Sequence, residues 1–178
     1  QRICAWSPWS DDRMLTPYGS VGQPAQGRRA WPVSAFDKAN ISVVIPVCPG
    51  HGKYLQDALD SLLGQTYQHW EAIVINDSGE DLTKWLHGFP FARLVSTSRA
   101  GRKGPGKARN IGIAAAKGEY IVCLDADDIL LPTFMAKCLA RNPKANEYVY
   151  CNHLSARDGT GLDLGEFREF DCQGLLGE

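Results

Sequence analysis

From residue 41 the chain alternates between two hydrophobic periods, and that alternation restricts the fold more than any other feature. ISVVIPV (41–47) is a β-branched apolar run that ends around Pro46, the pattern of a strand buried on both faces. KYLQDALDSLLGQ (53–65) follows, with Leu55, Ala58, Leu59, Leu62 and Leu63 three and four apart and Gly64 at its end. That spacing predicts a helix with one apolar face. WEAIVIND then reads as a strand, DLTKWLHGF as a short helix and ARLVSTS as a third strand. GPGKARNIGIAAAKG predicts a helix that opens at Pro105 and closes at Gly118, because Pro suits a first turn and Gly a helix end. EYIVCLDADD is a fourth strand, LPTFMAKCLARN a helix and EYVYCN a fifth strand. Alternation of this kind predicts an α/β fold: a mainly parallel sheet flanked by helices. Such sheets bind ligands beyond the carboxyl ends of their strands. Those ends are Pro46–Val47, Asn76–Asp77, residues 96–99 and Asp125–Asp128.

Residues 1–40 lack this order. TPYGSVGQPAQGRRAWP is dense in Gly and Pro and has no period, which predicts an irregular arm or linker ahead of a domain at 41–178. Trp6, Trp9, Trp31 and Phe36 are too many aromatics for a free tail, so parts of the arm are expected to dock. With 44% hydrophobic and 22% charged residues, a folded core is affordable. A net charge of −1 and no polybasic run give no reason to expect a nucleic-acid partner. No apolar run approaches the roughly 18 residues of a membrane-spanning segment, and QRICAWSPWS has no apolar signal-peptide region. The initial Gln points to a fragment or a processed chain. The six cysteines show no zinc-like spacing. Cys48, Cys123 and Cys151 fall in or beside predicted buried strands, as small hydrophobes. Thiols in a reducing, cytoplasmic location are the expectation. The four histidines are scattered and read as surface or turn residues, His51 among them.

Chemistry concentrates at the strand ends. YIVCLDADDIL places Asp125, Asp127 and Asp128 directly after an apolar run. Converging carboxylates repel unless a cation lies between them. Oxygen ligands beside a phosphate site suit Mg²⁺ or Mn²⁺. The plainer alternative makes Asp128 a cap of the next helix and the others solvated turn residues. AGRKGPGKARNIG (100–112) sets glycines among Arg102, Lys103, Lys107 and Arg109, with Arg99 just before. Free amides at a helix start together with cations suit a diphosphate. Gly101 to Ala108 nearly spells a P-loop, but Ala108 stands where Ser or Thr should be. Asp77 leaves the second strand and could accept hydrogen bonds from a base or ribose. Gly50 and Gly52, after the first strand, would permit close approach of backbone to a ligand.

Taken in order, SVVIPV, KYLQDALDSLLGQTYQHWEAIVINDSG, GKARNIGIAAAKGEYIVCLDADD and LP resemble family 2 glycosyltransferases, whose fold is the Rossmann-like GT-A type. The resemblance covers about residues 41–151. It implies a nucleotide-diphosphate sugar donor, often a UDP-sugar, and a glycan, lipid or protein acceptor. By the same resemblance, Pro46 and Val47 line the nucleotide pocket and Asp77 contacts the base. Ala108, Arg109 and Asn110 form an element beside the nucleotide. Asp125 and Asp127 form the DXD motif, Asp125 towards the ribose and Asp127 towards a Mn²⁺ or Mg²⁺ on the diphosphate. CPGHG departs from the family's usual Tyr-Asn and Glu after the first strand, and Asn76 replaces the first of a paired Asp-Asp. The resemblance places the catalytic base of an inverting member well downstream of DXD, beyond Glu178, so the chain is expected to carry the donor half and an incomplete acceptor part. A nucleotide-sugar binding module without turnover is the alternative from another class. A pyrophosphorylase would need a Gly-rich signature that PVCPGHGKY lacks. A dehalogenase-type phosphatase would carry its DxD on the first strand.

Overall fold

The computed structural model describes residues 2–4, 40–97, 104–144, 147–149, 151, 153–157 and 161–165. In chain order the elements are β1 (Arg2–Cys4), β2 (Ile41–Val47), α1 (Leu55–Leu63), β3 (Trp70–Asn76), α2 (Thr83–Leu86) and β4 (Ala92–Ser96). Then come α3 (Pro105–Ala115), β5 (Tyr120–Cys123), β6 (Asp128–Leu130), α4 (Phe134–Ala140), β7 (His153–Arg157) and β8 (Gly161–Gly165).

The alternating region forms a four-stranded sheet in the order β4-β3-β2-β5, parallel throughout. Strand β2 is buried at every position, as its unbroken apolar run requires. Its two faces feed two cores. Ile41, Val43, Ile45 and Val47 pack with Leu55, Ala58, Leu59 and Leu62 of α1 and with Met135 of α4. Val44, Ile73 and Ile75 pack on the other face against Ala108 of α3. Helix α3 lies very close to the sheet: a Cβ on Gly112 would sit 2.2 Å from Val44 Cγ1. Nothing larger than glycine fits there without movement.

The chain runs outward from β2 to β3 and β4, then returns through α3 to β5 on the other side of β2. The strand order therefore reverses between β2 and β5, and a crevice opens beyond their carboxyl ends.

A polar lock closes the opposite end of the sheet. Glu71, buried on β3, accepts hydrogen bonds from Ser42 Oγ (2.7 Å) and Lys117 N (2.7 Å). Arg93 Nη2 donates to Glu71 Oε2 (3.2 Å) and to the Ala115 carbonyl at the end of α3 (2.6 Å). These bonds satisfy a buried carboxylate and fix where α3 ends and β5 begins.

Several expectations change. Glu147–Val149 are not strand; the next strand is β7, His153–Arg157, and it lies outside the parallel sheet. A second four-stranded sheet has the order β6-β1-β7-β8. Within it β1 runs parallel to β6 and antiparallel to β7. The start of the supposed irregular arm is thus a paired strand. Asp128 does not cap α4, whose N-cap is Thr133; it opens β6. Cys123 is exposed rather than buried, because β5 is the edge strand of its sheet. Leu63 is likewise exposed. Gly52 packs on Trp85 and Leu82, so its closeness serves the protein rather than a ligand.

Candidate functional site

Strand β5 ends at Cys123, and the chain turns across from one sheet to the other. The Asp128 amide donates to the Asp125 carbonyl (3.0 Å) and closes that turn. Ala126 points into the core and is 2% exposed. With the middle residue buried, Asp125 and Asp127 both face the crevice. They line a cleft of about 330 Å³ together with Pro46, Cys48, His51, Pro105, Arg109, Ala126 and Asp128. The cleft lies at the reversal of strand order, where the fold itself places a ligand.

Two side-chain contacts line this cleft. Arg109 Nη2 donates to Asp125 Oδ1 at 2.6 Å, a short charge-assisted hydrogen bond. The Asp125 hydrogen bond pushes the Arg109 guanidinium above its ordinary value, against partial desolvation. On the other wall His51 Nε2 stands 3.9 Å from Asp127 Oδ2. Asp125 is thus neutralised by an arginine, whereas Asp127 faces a ring nitrogen and open space.

The loops that carry these groups are tied down. Gly50, at φ +80°, donates its amide to Glu80 Oε1 (2.8 Å). The His51 amide donates to the Cys48 carbonyl (3.1 Å). The segment after the aspartates is held by Gln65, which is 2% exposed. Its Nε2 donates to the Leu131 carbonyl (2.8 Å) and its Oε1 accepts from the Met135 amide (3.2 Å). Ser61 Oγ also accepts from the Leu130 amide (3.2 Å).

The remaining expected site residues divide. Pro46 lines the cleft. Val47 is fully buried in the core, with its carbonyl accepting from the Asp77 amide (3.1 Å). Asp77 is 4% exposed. Its oxygens accept from Thr97 Oγ1 (2.8 Å) and from the Gly104 amide (2.9 Å), so it anchors the start of α3. Ala108 lies in the small core and lets α3 approach the sheet. Asn110 is exposed on α3; neither it nor Asp77 lines the cleft. Arg99, Arg102 and Lys103 lie outside the described residues. Sequence reasoning missed Gln65, whose partners in the segment after the aspartates are more than 60 positions away, and the His51 ring. A buried polar side chain just past a helix end was the one available signal for Gln65.

The residues suit a divalent metal held together with a ligand. Among the described residues no group of three or more His, Cys, Asp or Glu could hold an ion alone. Asp127 offers a carboxylate towards the cleft, and a diphosphate and waters would complete the oxygen shell of Mg²⁺ or Mn²⁺.

The parallel sheet with a cleft at its reversal agrees with the expected GT-A type fold. Residues 42–166 match the family model described as Glycosyl transferase family 2; the chain belongs to that family. Over 95 residues it is 39% identical to "Glycosyltransferase GlyG" of Streptococcus pneumoniae serotype 4, covering 51% of this chain and 31% of that protein. Over 121 residues it is 33% identical to "Succinoglycan biosynthesis protein ExoO" of Rhizobium meliloti, covering 66% of this chain and 34% of that one. The chain thus spans about a third of the length of these relatives. The crystal structure of S. aureus TarS 1–349 superposes with a TM-score of 0.50 at 24% identity, over 57% of this chain and 31% of that 1–349 chain. Among the described residues no helix is long and apolar enough to cross a membrane.

Proposed function

We propose that this chain is the donor-binding part of a metal-dependent glycosyltransferase that takes its sugar from a nucleotide-diphosphate sugar, with a UDP-sugar as the donor. The observation that carries the reading is the convergence of Asp125, Asp127, Arg109 and Pro46 on one cleft at the reversal of strand order.

In this reading Pro46 forms the apolar wall of the nucleotide pocket. The Arg109–Asp125 pair presents a carboxylate of fixed orientation towards the ribose. Asp127 holds a Mn²⁺ or Mg²⁺, which when bound would neutralise charge on the departing diphosphate. Asp77, Ala108 and Val47 act from beneath, setting the height and start of α3. Asn110 keeps a place beside the nucleotide through its position on α3. The domain boundary near residue 41 belongs to the same proposal. Transfer proceeds by attack of an acceptor hydroxyl once a base has taken its proton, and no residue of this chain is assigned that role.

Thermal unfolding with a panel of nucleoside diphosphates, each with and without Mn²⁺, tests the reading. A ligand at a hundred times its Kd stabilises the folded state by about 2.7 kcal/mol. One diphosphate should therefore raise Tm by several degrees with Mn²⁺ and far less without it. No shift across the panel would overturn the proposal.

A further inference from the structure

We propose that His51 is a metal ligand of this site, through Nε2 alongside Asp127, and that it biases the site towards Mn²⁺ over Mg²⁺. The inference rests on the donor-site reading and adds a residue to it. The DXD motif presents two carboxylates to the cleft, but Arg109 holds Asp125 at 2.6 Å, and Asp127 is the one that Arg109 does not hold. Its Oδ2 stands 3.9 Å from the His51 ring nitrogen Nε2. Metal–nitrogen and metal–oxygen distances are about 2.0–2.2 Å, so one ion can bridge that gap with little movement. Both side chains are exposed enough to move, at 42% and 44%.

The tautomer fits as well. His51 Nδ1 lies 3.2 Å from the Pro49 carbonyl, which can only accept, so the hydrogen bond requires the proton on Nδ1. A neutral ring with that proton presents its lone pair on Nε2. Donation of the far nitrogen to a backbone carbonyl is how metal-binding histidines are usually oriented. The loop under the ring is anchored too, through Gly50 to Glu80 and through Gly52 against Trp85. An imidazole nitrogen suits first-row transition metals better than Mg²⁺, which prefers oxygen throughout; Mn²⁺, at the foot of the Irving–Williams order, gains least of that series, so the bias is modest.

Pulsed EPR on the full chain with Mn²⁺ and UDP tests this. Directly bound ¹⁴N modulation is expected in the wild type and absent in His51→Gln and His51→Ala, both of which still bind Mn²⁺. Mn²⁺ affinity should fall about tenfold in these variants, the low end of the range for losing a supporting group at a metal site, with Mg²⁺ affinity little changed. Persistence of the nitrogen signal in both variants would overturn the assignment. So would a wild type without that signal whose Mn²⁺ binding is nonetheless lost in Asp127→Ala; the donor-site reading would then stand. Failure of Mn²⁺ to bind at all with UDP would overturn both.

Discussion

At the scale of single residues, the cleft separates two aspartates that the sequence presents as equals. Asp125 is spoken for by Arg109, and Asp127 is turned towards open space and His51. The separation depends on Ala126, whose burial turns its neighbours outward. Removing the guanidinium leaves Asp125 with its charge unbalanced at the ligand wall. Arg109→Met should therefore weaken nucleotide binding by about 10- to 100-fold, the equivalent of one hydrogen bond to a charged group. Direct titration of UDP in the presence of Mn²⁺ reads the effect, and unchanged affinity would show that the pair is incidental. The acids were visible in the sequence because they follow an apolar run. Their different surroundings were not, because Arg109 lies 16 positions away and His51 sits in a turn whose chemistry explains it without a site.

At the scale of elements, the parallel sheet and its helices were readable from period alone. Strand β2 has apolar residues on both faces, and α1 has them on one. The three-residue strands β1 and β6 are too short to carry a period, and their pairing joins residues 2–4 to residues 128–130. Asp77, read as a contact to the base, also anchors the start of α3; an acid at a strand end looks the same in either role. The turn that carries the aspartates depends on side chains remote in sequence, Gln65 above all. Gln65→Leu keeps the bulk but removes the side-chain partner of the Met135 amide, while the Leu131 carbonyl loses one of two donors and keeps the Phe134 amide. A buried group left without a partner costs about 1–3 kcal/mol. The variant should lower the urea midpoint by a corresponding amount, and an unchanged midpoint would show that the tether is dispensable.

At the scale of the whole molecule, the aspartate turn is the crossing between two sheets. It leaves β5 of the parallel sheet and enters β6 of the mixed one. The first residues of the chain pair directly with that entry, Arg2 opposite Asp128 and Ile3 opposite Ile129. Strand β1 lies between β6 and β7, so a proline within it must delete a ladder bond. Ile3→Pro should therefore reduce hydrogen-exchange protection across residues 128–130 and leave that of β2 and β3 unchanged. Equal protection in both forms would mean that β1 does not support the turn.

The central claim is that Asp127 binds a nucleoside diphosphate through a divalent metal in the cleft between β2 and β5. Calorimetric titration of UDP into the wild type and into Asp127→Ala, each with and without Mn²⁺, tests it most directly, with Asp57→Ala on α1 as a control. Binding to the wild type and to the control is expected only with Mn²⁺, and none to Asp127→Ala. Equal binding without metal, or by Asp127→Ala, would contradict it.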